Sequence, residues 1–223
     1  METHANSPHS RFPATAEEEA YAYLLYRIRM GIYKAGDRLI TDEIAAEINT
    51  SRMPVREAFR RLASEGLVVI RPNRGALVRG LDVHEMEAVF CMRSVLEGLA
   101  ARMALPNITQ ENITELTRLI GLMESLEKDV QQWVTAHRNF HEYLSELCNR
   151  QRLVVQIDGL HAVMEPHMRL WLELAERQMP SRDDHMIIVS AIKTGDPQLL
   201  EVAVRQHVES TIPALRDWMT SDT

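Results

Sequence analysis

The sequence predicts a mainly α-helical chain in two folded parts. A small head over residues 16–80 carries a β-hairpin, and an all-helical bundle of about six or seven helices covers residues 81–223. Three observations predict this. Residues 51–75, SRMPVREAFRRLASEGLVVIRPNRG, read as helix, strand, turn, strand. A shorter helical segment, TDEIAAEI at residues 41–48, stands just before it across a tight turn at Asn49-Thr50. From Asp82 onward strand signals stop, and amphipathic helices punctuated by capping residues, glycine and proline take over.

In chain order, residues 1–15 are polar, contain proline and lack an apolar core segment, so they read as a disordered tail and not as a signal peptide. Residues 16–30 form an amphipathic helix with acids in its first turn and Arg27 and Arg29 in its last, and Gly31 stops it. Lys34 to Ile40 is a turn and a short strand able to pair with the hairpin. Thr41 is the expected cap of the next helix, with Asp42 and Glu43 in its first turn. Ser51 is the expected cap of the helix that follows, Pro54 falls in its first turn, and Gly66 ends it in a left-handed conformation. At 100° per residue, Val55, Ala58, Phe59 and Leu62 share one side, and Arg52, Arg56 and Arg60 form a stripe beside them. The hairpin adds Arg71, Arg74 and Arg79. Most charged helix stripes are merely solvated. Here the short helix, tight turn, second helix and β-wing follow the winged helix-turn-helix order, which puts the arginines where DNA would lie.

In the second part, Asp82-x-x-Glu85 is a capping box that opens a helix through Met103, closed by Pro106. Thr109 caps a helix to about Lys128, and another covers Gln131 to Cys148 with Asn149 at its end. Arg150 to Gln178 is helical by pattern, with a bend or break expected at Glu165-Pro166. Ser181-x-x-Asp184 opens a helix ended by Gly195; Asp196-Pro197 opens the last, which Pro213 should kink or end.

The net charge of −7 conceals an asymmetry. Residues 1–80 hold 12 basic and 10 acidic side chains, while residues 81–223 hold 13 and 22. Within residues 50–80 there are 7 arginines against 2 glutamates, so positive charge is concentrated on the motif that needs it. Cys91 and Cys148 are far apart and form no Cys-x-x-Cys pair, which suits a reduced compartment. No apolar run reaches the roughly 20 residues of a membrane span. The expectation is a protein of the bacterial cytosol, nucleoid-associated, with no membrane partner.

The segment from Tyr23 to Val78 resembles the DNA-binding domain of GntR-type bacterial transcription regulators. The likeness is carried by Gly31, Ala35-Gly36-Asp37-Arg38-Leu39, Ser51-Arg52-Met53-Pro54-Val55-Arg56-Glu57-Ala58, Leu62, Glu65-Gly66-Leu67-Val68 and Asn73-Arg74-Gly75. It implies that Ser51, Arg52, Met53, Arg56 and Arg60 of the recognition helix, with Arg74 and Gly75 of the wing, contact DNA.

Nine histidines are present, and two, His137 and His141, lie four residues apart on one helix face, a spacing that can chelate a metal. His185 and His207 occupy the middles of two later helices, and facing helices of a bundle can deliver all four to one interior point. The plainer reading is that these imidazoles are packed and hydrogen-bonded without a metal. His84, His161 and His167 have no partner at ligand spacing and are expected in ordinary surface or core roles.

Phe140-His141, the segment from His185 to Asp196, Arg205-x-His207, and Arg93 with Glu97 resemble the FCD-type ligand-binding domain of the FadR-like subfamily. Metal-binding members of that subfamily carry one aspartate and three histidines, and here His137 stands at the aspartate position. Four neutral imidazoles favour a Zn- or Ni-class divalent ion over harder Mn. The resemblance also implies that Arg93 holds a carboxylate effector near the metal. The bland alternative for Arg93, a salt bridge to Glu97 one turn on, stays open.

The expected function is therefore an effector-responsive transcription regulator, a repressor acting as a homodimer on a palindromic operator and controlled by a small organic acid. The rival is a metal-dependent hydrolase-like helical domain fused to a DNA-binding module, with Glu142 beside His141. Against it, four protein ligands leave little room for a water on a tetrahedral ion, and no nucleophile motif is present.

Overall fold

The computed structural model describes residues 15–72, 74–174 and 182–221, so the expected tail, apart from Thr15, lies outside the described residues. Contacts divide the chain into two compact units, one taking in residues to Ile28 and Ile32–Gly80, the other Arg29–Gly31 and Leu81 onward.

The head begins with α1 (Ala16–Arg29). Thr15 Oγ1 accepts from the Glu18 N–H and Glu18 Oε2 accepts from the Thr15 N–H, a reciprocal cap. Next come β1 (Arg38–Leu39), α2 (Thr41–Glu47), α3 (Arg52–Ser64), β2 (Val68–Arg71) and β3 (Gly75–Val78). The sheet order is β1-β3-β2, all antiparallel, with Leu39 opposite Ala76 and Arg71 opposite Gly75. The short strand before α2 thus pairs with the hairpin as expected. Val55, Ala58, Phe59 and Leu62 are the buried residues of α3. Gly66 at φ +80° closes that helix, with Leu67 N–H donating to Leu62 O at 2.9 Å and Gly66 N–H to Ala63 O at 3.1 Å.

Two expected caps differ. Ile40, not Thr41, holds the cap position of α2, because the extended backbone leaving β1 runs directly into the helix. Ser51 does occupy the cap position of α3, yet its side chain makes no capping hydrogen bond. Pro54, third in the helix, has no N–H, so the usual partner of such a cap is missing.

The second unit contains α4 (Val83–Ala104), a 3-10 turn at Leu105–Asn107, α5 (Gln110–Ser125), α6 (Val130–Glu146), α7 (Gln151–Leu174), α8 (Arg182–Thr194), α9 (Pro197–Glu209) and α10 (Ile212–Ser221). Asp82 and Glu85 form the expected capping box, Thr109 caps α5, and Asp196 accepts from the N–H groups of Gln198 and Leu199. Asn149 and Gly195 adopt positive φ at helix ends. The cap expected from Ser181 lies outside the described residues.

Of the bend or break expected at Pro166 the break does not occur, and Pro213 departs from expectation. Pro166 sits inside an unbroken α7, where Met164, Met168, Trp171 and Leu172 are buried around it. That packing offsets the roughly 3 kcal/mol an interior proline costs. Pro213 does not finish α9; it is the second residue of α10, where its missing N–H would have had no helical partner.

The core of this unit joins Met86 and Phe90 of α4, Leu116 and Ile120 of α5, Trp133 and Phe140 of α6, Ile188 of α8 and Leu200 and Val204 of α9. α4 and α9 pack closely because Gly98 lacks a side chain: a Cβ there would stand 2.6 Å from Arg205 Cγ. No described helix is long and apolar enough to cross a membrane.

Candidate nucleic-acid interface and metal centre

Burial of one face of α3 leaves Arg52, Met53, Arg56 and Arg60 exposed on the other. One groove of the head is lined by Arg38, Arg52, Arg56, Arg60, Arg71 and Arg74, together with Gly75, against the single carboxylate of Asp42. Ser51 and Met53 are exposed at the start of the same helix. Arg52 Nε lies 2.6 Å from Asp42 Oδ1, and Arg60 pairs with Glu57 on its own helix. Arg38 Nε donates to Arg74 O at 3.0 Å, which ties the wing to β1. Arg38 is the residue that the charge pattern of residues 50–80 missed; it enters the groove only because β1 pairs with β3.

In the helical unit, α6 contributes His137 and His141, α8 His185 and α9 His207. One potential ligand atom from each of the four lies within 4.8 Å of the others. His137 Nε2 and His141 Nε2 are 3.3 Å apart, and the His185 and His207 ring centroids 4.5 Å. Trp133 stacks on His137 at 4.8 Å between centroids, fixing that ring in the core. Burial first, then the neighbouring imidazoles, hold His137 and His207 well below the usual histidine range, so both offer lone pairs. The donor set fits a borderline divalent ion: with Zn–N bonds of about 2.0–2.1 Å, tetrahedral ligands stand roughly 3.3 Å apart.

Against this cluster lies a buried carboxylate. Glu97 Oε2 is 2.9 Å from His141 Nδ1, and Glu97 Oε1 accepts from Arg93 Nε at 2.9 Å and lies 3.0 Å from His161 Nε2. Burial would raise the Glu97 carboxyl, but Arg93, His161 and His141 together hold it well below the usual carboxylate range. Burial and then Arg93 push His161 down to about 4. Arg93 therefore makes its salt bridge to Glu97 and also lines a pocket with His137, His141, His207, Arg138, His161 and Thr211.

Residues 16–78 match the family of bacterial regulatory proteins called gntR, and residues 88–210 match the FCD domain. The chain belongs to the GntR family. A probable D-xylose utilization operon transcriptional repressor of Paenarthrobacter nicotinovorans is 30% identical over 205 residues, covering 90% of this chain and 88% of that one. The transcriptional repressor RspR of Escherichia coli is 26% identical over 214 residues, 92% and 94% of the two chains. The solved structure of E. coli McbR/YncC shares the fold, with TM-score 0.80 at 22% identity over 92% of this chain and 99% of that one. This GntR-family chain is a DNA-binding transcription regulator and not an enzyme, and nothing supports the hydrolase reading.

Sequence reasoning on this GntR chain missed His161, assigned there to an ordinary role. Its ring is buried between Arg93, Glu97 and His141. The other histidine of α7, His167, lies six positions on, so no ligand spacing marked it, and only the packing of α7 on α4 and α6 brings it in. Arg138 was missed for a similar reason: it reads as the i,i+4 partner of Glu142, 3.1 Å away, yet it also faces Glu165 of α7 at 3.4 Å.

Proposed function

We propose that this regulator is a homodimeric repressor whose affinity for a palindromic operator is set by a small carboxylate bound beside a Zn- or Ni-class ion. His137, His141, His185 and His207 hold the ion, and Arg93 receives the carboxylate. The observation that carries the reading is the convergence of four imidazoles, those of His141 and His185 buried and those of His137 and His207 half-buried, with ligand atoms within 4.8 Å of one another, next to a pocket-lining guanidinium.

Charge supports it. Arg93 faces Glu97, and Arg138 faces Glu142 and Glu165, so the guanidinium charges around the pocket are already balanced, and His137, His161 and His207, held below the usual histidine range, add none. A divalent ion supplies the surplus that attracts an acid, and Arg93 can add directional hydrogen bonds. In the head, Ser51, Arg52, Met53, Arg56 and Arg60 with Arg74 and Gly75 form the reading surface, Arg38 and Arg71 adding phosphate contacts. Both named relatives are described as repressors, which supports that sign of control.

The test is a mobility-shift titration on the intergenic DNA beside the protein's own gene, with zinc, with chelator, and with a panel of small organic acids. Release of DNA by an acid only in the zinc-loaded protein is the expected result. An acid response unchanged by chelation would overturn the metal-dependent part.

A further inference from the structure

The Glu97 carboxylate is shared by three side chains on three helices. Arg93 lies one turn before it on α4, His141 is on α6 and His161 on α7. Its oxygens are divided among them: Oε2 faces His141 Nδ1 at 2.9 Å, while Oε1 takes Arg93 Nε at 2.9 Å and faces His161 Nε2 at 3.0 Å. The group is only 2% exposed, so water cannot substitute for a lost partner.

An ionised carboxylate accepts hydrogen bonds and donates none. A neutral His141 must therefore present Nδ1 with its hydrogen, and Nε2, the atom 3.3 Å from His137 Nε2, then keeps its lone pair toward the other histidines. The opposite tautomer would set a lone pair against Glu97 and a hydrogen into the cluster. On the other oxygen, the same carboxylate holds the guanidinium that borders the pocket.

We propose that Glu97 is a positioning residue for the histidine centre, locking His141 so that Nε2 is offered to the metal while registering Arg93 and His161 against that ligand through its second oxygen. The inference rests on the metal-centre reading above. It makes Glu97 the physical link between the anion-binding group and the ion, since any movement of the Arg93 guanidinium away from Oε1 acts on the carboxylate that fixes His141.

The experiment uses the full-length protein with Glu97→Gln and Glu97→Asp. Glutamine keeps the size but turns one acceptor into a donor; aspartate keeps the charge for Arg93 while drawing the carboxylate back from His141. Zinc affinity, read by competition with a chromophoric chelator, is expected to fall about 10–100-fold in both. Nitrogen NMR of the metal-free protein is expected to show His141 as the Nδ1–H tautomer in the wild type and as a mixture in Glu97→Gln. A merely structural Glu97 would lower the melting temperature and leave zinc affinity and tautomer alone. Zinc affinities within about twofold of wild type, with the wild-type tautomer kept, would overturn the assignment. If Glu97→Gln does not fold, Glu97→Asp decides by the same two readouts. Should the wild type bind no zinc, the metal reading fails by itself, and the tautomer still decides for Glu97: its loss supports the hold on His141, its retention overturns it.

Discussion

His137 Nε2 and His141 Nε2 face each other across 3.3 Å, one turn apart on α6. Where a neutral His141 turns its Nδ1 hydrogen to Glu97, its Nε2 is an acceptor, so either His137 donates to it or both aim lone pairs at one ion. The second arrangement predicts about one Zn- or Ni-class ion per chain and a melting temperature that rises with metal and falls on chelation, because only the folded state assembles the site. Elemental analysis without metal, together with no thermal shift from zinc or nickel, would leave the hydrogen-bonded imidazole pair as the explanation.

Arg56 is exposed on α3 and lines the arginine groove, whereas its neighbours Arg52 and Arg60 are engaged by Asp42 and Glu57. Arg56→Ala should weaken operator binding by about 1–3 kcal/mol with little change in stability. Fluorescence anisotropy over a salt series checks this, since wild-type affinity should fall steeply as salt rises. Equal affinities for the two proteins at moderate salt would remove Arg56 from the reading surface.

The legible parts of this chain were those written in local chemistry. Asp82 with Glu85, Thr109, and Asp196 with Pro197 announce helix starts because a cap acts within one turn; the partner of Thr109, Asn112, appears only in the structure. His137 and His141 announce a shared face for the same reason. What stayed hidden depends on which helices become neighbours. His161 joins Glu97 from 64 positions along the chain, and Arg38 joins the arginine groove through strand pairing. At Pro166 a bend or a break was expected because the local cost is legible, while the burial of Met164, Met168, Trp171 and Leu172 on the continuous helix is not.

Gly75 has φ +81°, and a Cβ there would stand 2.0 Å from Leu39 O, a backbone atom of the adjoining strand. Gly75→Ala must therefore strain the chain and push β3 from β1, at the register that carries Arg74 and Arg38. The expected loss is at least about 1–3 kcal/mol of stability, with weaker DNA binding. An unchanged thermal unfolding profile would show that the wing relaxes around the added methyl.

A single winged helix presents few base contacts, and specificity against a genome of competing sites is ordinarily reached by two half-sites read through a two-fold axis. The protein should sediment as a dimer and protect a palindrome whose half-sites are spaced by its own symmetry. Sedimentation as a monomer that still binds one half-site at full affinity would contradict this.

Arg93 connects the pocket to the chain that reaches the DNA-binding head. It lies on α4, and only three residues separate the end of β3 from its capping residue Asp82, so a movement of α4 has a short covalent path to the wing. A small acid with one oxygen on the ion and a carboxylate on Arg93 can change DNA affinity only by as much as it prefers one arrangement of the reading heads. A tenfold release thus requires about 1.4 kcal/mol of coupling. Arg93→Ala should abolish release by the acid while effector-free operator binding stays intact, because no residue of the arginine groove is touched. The mutation also removes a partner of buried Glu97, so a lower melting temperature is expected alongside it. Anisotropy with zinc-loaded wild type and variant, titrated with the acid that gives the largest thermal shift, is the decisive comparison. An Arg93→Ala protein that still releases DNA at the wild-type acid concentration would take the carboxylate away from Arg93.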